Sequence, residues 1–250
     1  MNFKNKKLII FDLDGTLTES KADLSPKTGK LLSRLLQKKA VAIIGGARYA
    51  QFQKQFLGKF KAPKTELKNL FLFPTNSARF YRFSKNKWRK IYAHNLTRKE
   101  KAKILNAFKK AYEENNYHNP TKLYGKVIED RDSQITFSAL GQKAPLRAKE
   151  KWNRENDIRP QMMRTLKKYL PQFEIRMGGL TSIDVTKKGT DKAYGVRHIK
   201  KTLGVPIKNM LFIGDAIYPG GNDYAAKRTG VECIQVSGPK ETNEIIKSLI

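Results

Sequence analysis

The stretch "LIIFDLDGTLTES", residues 8–20, decides how the rest of the sequence is interpreted. It begins with an apolar run, which is typical of a strand buried on both faces of a parallel sheet. Asp12 and Asp14 follow where this strand ends, and a strand's two-residue period points both to the same side. Gly15 then allows a tight turn. The stretch predicts either a catalytic carboxylate pair or an Asp-rich turn or partial calcium loop after a buried strand.

A second apolar strand with an acidic end lies near the C-terminus, in "NMLFIGDAIYPGGNDY". The loop that follows it offers Asp215, Asn222 and Asp223, whose hard oxygen donors suit Mg²⁺. Ligands of open α/β sheets bind beyond the carboxyl ends of the strands, where both acidic ends would meet. The alternative is that Asn222 or Asp223 caps a helix, which leaves Asp215 unexplained. The two acidic ends together predict a divalent-cation site.

Lys192, in "GTDKAYG", is the third candidate. It lies near the start of a predicted helix over residues 190–204, just before the second acidic strand. A lysine placed there can neutralise clustered carboxylates and hold a phosphoryl oxygen as a point charge.

The chain as a whole reads as an α/β core that is split by an insertion. Strands and helices alternate at both ends of the sequence, which is the pattern of a parallel sheet. The middle is instead rich in hairpin-like strands with a few helices. The prediction is a Rossmann-like core formed by residues 1–81 and 188–250, with an inserted α+β cap domain over residues 82–187.

The charge is strongly positive, with 51 Lys and Arg against 22 Asp and Glu, a net +29 over 250 residues. Such a surface attracts polyanions, although a basic adaptation of the whole surface is the preferred explanation of the charge. No zinc-finger spacing or RNA-binding aromatic signature accompanies the charge, so nucleic acid is expected only as a non-specific electrostatic partner. One cysteine and no long apolar run favour a cytoplasmic protein with no membrane partner.

The motifs together resemble the haloacid dehalogenase superfamily. "DLDGT", the core lysine and "GDAIYPGGND" occur in the superfamily's order, and the large insertion resembles its type IIB branch. "IIGGARYAQFQKQF", "FPTNSA" and "GGLTSIDV" are similar to eukaryotic-type phosphomannomutases and related sugar-phosphate phosphatases. The resemblance runs over almost the whole chain, with a looser match in the cap.

The resemblance implies a role for each matching core residue. Asp12 would be the nucleophile that forms an aspartyl-phosphate, and Asp14 the general acid and base. Lys192 would bridge Asp12 and the phosphate, and the Gly45-Gly46 backbone would lie near the phosphate. The cofactor would be Mg²⁺, with the following ligands or close neighbours: Asp12, the Asp14 carbonyl, Asp215, Asn222 and Asp223.

The cap carries the residues on which the choice of reaction depends. Arg131 falls on an arginine that phosphomannomutases use for the phosphate that is not reacting, but Gln142 stands where a second is expected. The alternative for Arg131 is a solvated hairpin residue. Ser182 and Asp184 match sugar-contacting positions, and related proteins often pair through their caps, so a monomer or a cap-mediated homodimer is expected.

The predicted function is a Mg²⁺-dependent phosphatase acting on a small phosphorylated metabolite, such as a sugar phosphate. Gln142 favours hydrolysis over isomerisation, and Ala47, where the superfamily usually has Ser or Thr, should slow catalysis without abolishing it. Two alternatives stay open. One is phosphomannomutase activity, and the other is a weakly catalytic protein that binds polyanions.

Overall fold

The computed structural model describes residue 3 and residues 5–20 and 22–250. It contains two compact units. The first unit consists of the residues up to Ala93 together with Thr190–Ile250, and the second is His94–Gly189.

The first part of the first unit alternates strands and helices, as the sequence predicts. Ser25 caps the first helix by accepting a hydrogen bond from the Thr28 N–H, and Pro26 occupies its first turn. The second helix is a single turn that continues as a π-helical turn, Gln53–Leu57. The elements are β1 (Leu8–Asp12), α1 (Pro26–Leu36), β2 (Ala40–Ile44), α2 (Tyr49–Phe52), α3 (Lys64–Leu67), β3 (Leu70–Phe73), β4 (Arg79–Ser84) and β5 (Lys87–Ala93).

The second unit packs helices on one face of an antiparallel sheet with strand order β6-β7-β9-β8. Its long helix begins with a capping box in which Thr97 and Glu100 bind each other's backbone N–H. Phe108, Trp152 and Leu166 lie in the buried cluster between helices and sheet. The elements are α4 (Arg98–Glu114), β6 (Ile128–Asp130), β7 (Gln134–Ser138), α5 (Leu146–Glu155), α6 (Arg159–Tyr169), β8 (Phe173–Gly178) and β9 (Ser182–Lys187).

The chain then completes the first unit. Asp191 caps the next helix, which ends at Gly204 in a left-handed conformation (φ 66°) that glycine adopts without strain. Among the described residues, no helix combines the length and the apolar character needed to cross a membrane. The elements are α7 (Lys192–Leu203), a 3₁₀ turn (Ile207–Asn209), β10 (Met210–Gly214), α8 (Tyr224–Lys227), β11 (Glu232–Gln235) and α9 (Pro239–Leu249).

The sheet of the first unit has the order β11-β10-β1-β2-β3-β4-β5, and its strands from β11 to β3 are parallel. Alternate residues of β1 pack into two different hydrophobic clusters, one on each face of the sheet. Ile9 and Phe11 pack on the side of α1 and α9, whereas Leu8 and Ile10 pack on the side of α7. The apolar run is therefore covered on both faces, as its composition predicts, and the α/β fold class is confirmed.

The hairpin formed by β4 and β5 belongs to the first unit, which differs from the predicted boundary at residue 82. β4 pairs antiparallel with β3, and β5 pairs antiparallel with β4. Its alternating sequence predicts a hairpin correctly but does not reveal which sheet the hairpin joins. The second unit accordingly begins at His94 and ends at Gly189, rather than spanning 82–187.

Candidate active site

The predicted core residues meet at one edge of the parallel sheet. Asp12 is the last residue of β1, and Asp215 directly follows β10, which pairs with β1 in parallel. The carboxyl ends of neighbouring parallel strands lie at the same edge, so these two side chains are brought together. Lys192 reaches the same place as the first residue of α7.

A buried ion network joins these elements. The Lys192 ammonium donates to Oδ1 of Asp12 at 2.6 Å and also to Oδ1 of Asp223. A longer bond of 3.3 Å reaches Oδ1 of Asn222. Lys192 is 1% exposed and Asp12 is 4% exposed, so charges this deeply buried persist only because they are paired. The network brings together residues that are 180 and 31 positions apart in the sequence.

Three carboxylates form a compact cluster beside the lysine. One oxygen each from Asp12, Asp215 and Asp223 lies within 4.8 Å of the others. Three carboxylates balanced by one ammonium leave an excess of negative charge, and oxygen donors are the ligands of hard divalent cations. The cluster could therefore hold a metal ion, which fits the sequence prediction.

Two glycines leave the space that this crowding needs. A Cβ on Gly15 would lie 2.6 Å from Oδ2 of Asp215, and one on Gly214 would lie 2.5 Å from Oδ2 of Asp223. Neither distance is compatible with a side chain. Asp223 is fixed further because the Ala216 N–H donates to its Oδ2 at 2.9 Å.

The pKa values of the buried charged groups are shifted because these groups are crowded together. Burial raises the pKa of the Asp12 carboxyl well above its ordinary value against the attraction of Lys192, and Asp223 and Asp215 raise it further. Burial also raises the pKa of Asp215, with Asp223 as the next cause. Burial opposes the charge of Lys192, but Asp12 and Asp223 outweigh it and raise the pKa of the ammonium. A cation bound here would relieve the repulsion between the carboxylates.

Asp14 takes a different environment from Asp12. Its Oδ1 accepts a hydrogen bond of 2.8 Å from Nε2 of Gln55, which also donates to Thr18. Gln55 is fully buried in the π-helical turn, a feature that often occurs at functional sites. Gln55 was not predicted from the sequence. The available signal was an uncharged polar residue next to Phe56 and three residues after Phe52, on the buried side of the helix.

The loop after β2 is held by the chain after β3. The Thr75 N–H donates to the Ala47 carbonyl, and the Asn76 N–H donates to the Gly45 carbonyl, each at 2.9 Å. The Gly45 N–H already donates to Phe73, so it is not the phosphate-facing group that the resemblance implies. Of the two glycines that the resemblance places near the phosphate, Gly46 is therefore the one that stays a candidate for this role.

The predicted cap residues lie in the second unit, on the polar side of its sheet. Cross-strand register aligns Glu129 with Thr136 and Thr136 with Asp184. Thr136 donates to Oδ1 of Asp184 at 2.7 Å, and the hydroxyl groups of Ser138 and Ser182 lie 3.1 Å apart. The structure thus brings Ser182 and Asp184 together on one surface.

Arg131 is not a freely solvated hairpin residue. Its Nε and Nη2 atoms lie 2.8 and 2.7 Å from one carboxylate oxygen of Glu129. The Gln142 amide lies 3.0 Å from both oxygens of the same carboxylate. Glu129, which was not predicted from the sequence, therefore orients the Arg131 guanidinium and accepts hydrogen bonds from the Gln142 amide. Its position two residues before Arg131 on a strand was the available signal.

The chain is similar to known proteins over most of its length. The family model for eukaryotic phosphomannomutase matches residues 28–250. A phosphomannomutase of Encephalitozoon cuniculi is 30% identical, over 95% of this chain and 91% of that protein. The phosphomannomutase of Saccharomyces cerevisiae is 29% identical, over 98% of this chain and 95% of that protein.

Solved structures confirm the fold. Plasmodium falciparum IMP-nucleotidase bound to IMP aligns with a TM-score of 0.72 at 19% identity, covering 98% of this chain and 68% of that one. The C-terminal domain of the Candida albicans trehalose-6-phosphate phosphatase aligns with a TM-score of 0.66 at 18% identity, covering 99% and 94%. Both are phosphatases of the haloacid dehalogenase fold.

Proposed function

We propose, since this chain belongs to the eukaryotic phosphomannomutase family, that it is a Mg²⁺-dependent enzyme that moves a phosphoryl group between two positions of a hexose phosphate. Of the two reactions that the sequence leaves open, isomerisation has the better support, because the relatives from Encephalitozoon cuniculi and Saccharomyces cerevisiae are both named phosphomannomutases. The sequence-based preference for hydrolysis is not supported by them.

The observation that carries the proposal is the buried bridge of Lys192 between Asp12 and Asp223. A carboxylate attacks an anionic phosphate only if positive charge screens the approach. Lys192 holds Asp12 by one oxygen, which fixes the direction in which the carboxylate can attack phosphorus. Mg²⁺, held by Asp12, Asp215 and Asp223, would supply further charge stabilisation in the transition state.

Asp14 is proposed to handle the protons. As Asp12 forms a bond to phosphorus, the bond from phosphorus to the sugar oxygen breaks, and Asp14 protonates that oxygen. Asp14 then removes a proton from the acceptor hydroxyl that takes the phosphoryl group back from Asp12. Gln55 holds one oxygen of Asp14 and leaves the carboxylate oriented for this exchange.

Hydrolysis is the second candidate, and two residues favour it. Gln142 does not supply a second arginine for the phosphate that is not reacting, and Ala47 supplies no hydroxyl to the phosphoryl group. If an enzyme holds the bisphosphate weakly in its second orientation, water takes the phosphoryl group from Asp12 in place of the sugar hydroxyl. The two reactions share Asp12 and differ only in the acceptor.

One assay separates the two candidates. The protein is incubated with Mg²⁺, mannose 1-phosphate and a hexose bisphosphate activator, and mannose 6-phosphate and free phosphate are measured together. We expect mannose 6-phosphate to form faster. Faster release of free phosphate would instead establish the hydrolase.

The nucleophile is tested in the same assay. Asp12→Asn should abolish both products, because an amide cannot form the acyl phosphate. Asp23→Asn is the matched control, since Asp23 makes a solvent-exposed pair with Lys59 at 3.2 Å and should retain full activity. Metal-dependent turnover by Asp12→Asn would contradict the assignment.

A further inference from the structure

Arg159 is a buried charged residue outside the carboxylate cluster. It is the first residue of α6 and is 4% exposed, and a guanidinium this deeply buried persists only if it is paired. Its Nε and Nη2 atoms donate to the two carboxylate oxygens of Asp157 at 2.7 and 2.8 Å. Nη2 also donates to Oδ1 of Asn153, near the end of α5. The helical layer of the second unit therefore fixes the guanidinium in one orientation.

One hydrogen bond of Arg159 leaves the helices and reaches the turn between β8 and β9, residues 179–181. Nη1 donates to the Gly179 carbonyl at 2.7 Å. On the other side of the turn, the Thr181 carbonyl accepts from the Ala139 N–H at 3.0 Å. A short turn moves easily unless the rest of the structure binds its backbone groups, and a bond from a guanidinium is stronger than one from a neutral donor. Arg159 therefore holds this turn in place.

The turn determines where two predicted substrate-binding side chains lie. Ser182 follows it directly as the first residue of β9, and its hydroxyl lies 3.1 Å from that of Ser138. Gly178 precedes the turn, and a Cβ on it would lie 2.9 Å from Oδ2 of Asp184. Because the backbone passes so close to this carboxylate, the position of Asp184 and the position of the turn depend on each other.

The side chains of β9 alternate between an apolar and a polar face. Ile183 and Val185 pack into the cluster beneath the helices, so Ser182 and Asp184 point to the opposite face. Hydroxyl and carboxylate groups held at fixed positions suit the hydroxyl groups of a sugar, with which they exchange hydrogen bonds. Such a surface selects a substrate only if its donors and acceptors are kept in place by the residues behind them.

We propose that Arg159 is a positioning residue for substrate recognition. By binding the Gly179 carbonyl, it holds the β8–β9 turn so that Ser182 and Asp184 bind the sugar hydroxyl groups. The inference rests on the proposed function, because it takes a sugar phosphate as the substrate of this surface. Arg159 acts through the turn and not on the phosphoryl group, so its loss should weaken sugar binding and leave the phosphoryl chemistry intact.

The kinetic test compares a sugar substrate with one that has no sugar. Arg159→Lys keeps a charge beside Asp157, but a single ammonium cannot replace the planar fork that also reaches Asn153 and Gly179. The KM for mannose 1-phosphate should rise about tenfold because hydrogen bonds to the sugar are misplaced, with kcat within about twofold of the original. The KM for para-nitrophenyl phosphate should change less than about twofold.

Ile104→Ala is the control for a general loss of stability. Ile104 is fully buried in the same cluster but belongs to α4, so its truncation lowers the melting temperature and leaves the bond to Gly179 in place. Both variants are assayed at a temperature at which circular dichroism shows them folded. The control should keep the original KM for mannose 1-phosphate. Equal rises in both variants, or equal changes for the two substrates, would overturn the proposal.

Hydrogen exchange tests the same contact without a substrate. In Arg159→Lys the amide groups of residues 178–184 should exchange about tenfold faster, whereas those of β1 should be unchanged. Unchanged exchange at residues 178–184 would overturn the proposal. A wild-type protein that hydrolyses para-nitrophenyl phosphate but forms neither product from mannose 1-phosphate would contradict the proposed function and, with it, the sugar as the ligand of this surface. The exchange rates would still show whether Arg159 holds the turn.

Discussion

Lys192 is the residue on which the charge balance of the site depends. It is buried and pairs with Asp12 and Asp223, while Asp215 lies beside them. Lys192→Met removes the only ammonium that the described structure places within hydrogen-bonding distance of these carboxylates. We expect a loss of roughly 3–5 kcal/mol in unfolding free energy at neutral pH without divalent metal, because buried charges are left unpaired.

Urea unfolding in EDTA measures this loss, and added Mg²⁺ or Mn²⁺ should recover part of it. Lys201→Met is the control, since Lys201 is exposed in the last turn of the same helix and its loss should cost less than about 1 kcal/mol. Similar losses in both variants would mean that the bridge contributes little to stability.

Cys233 gives a pH-dependent test at the residue scale. It lies half-buried in β11, and burial raises the pKa of its thiol to about 11. The thiolate is the reactive form, so at pH 8 the folded protein should react with a disulfide reagent roughly a hundredfold more slowly than the protein in denaturant. The rate should rise steadily with pH up to about 10. A folded-state rate that levels off near pH 8.5 would contradict the raised pKa.

At the scale of elements, the segment between β3 and β4 is strained. Thr75, Asn76 and Ser77 are consecutive residues with left-handed backbone, at φ 51°, 51° and 70°. Left-handed conformations cost about 1–2 kcal/mol per non-glycine residue, and such strain is common at functional sites. The segment donates the backbone hydrogen bonds that hold the loop of Gly45 and Ala47. The strained segment therefore holds a loop of the proposed site in place through these hydrogen bonds.

Ser77→Gly tests this strain. The Ser77 hydroxyl is buried and has no hydrogen-bond partner among the described residues, so the change removes both an unsatisfied group and a left-handed side chain. We expect the unfolding free energy to rise by about 1 kcal/mol in a thermal or urea melt. The opposite effect is expected for Gly195→Ala. Its new Cβ would lie 2.3 Å from the Ser77 hydroxyl oxygen, so the unfolding free energy should fall. A destabilised Ser77→Gly would show that the segment is not strained.

The elements also show what a sequence alone predicts. Strands β1 and β10 are recognisable because apolar runs end in acidic residues, and these ends locate the site. The start of α1 is recognisable from Ser25 and Pro26. The predicted helix after β2 is broken by the π-helical turn that buries Gln55, because tertiary contacts to Asp14 and Thr18 override the local pattern. The partner sheet of the β4–β5 hairpin depends on long-range pairing, which local alternation does not encode.

At the scale of the whole molecule, the net charge of +29 acts against folding. Like charges brought together in a compact state repel, and this repulsion is screened within about 10 Å at 0.1 M salt. The melting temperature should therefore rise as NaCl increases from 20 to 500 mM, and sulfate should raise it further. A melting temperature that falls with NaCl would mean that favourable ion pairs outweigh the repulsion.

Helix α1 offers a matched variant for this prediction. Lys27, Lys30 and Arg34 follow one another at spacings of three and four residues, so they are neighbours on one side of the helix. Lys30→Glu turns two repulsive pairs into attractive ones and lowers the net charge by two. It should raise the melting temperature at 20 mM NaCl and reduce the further gain at 500 mM.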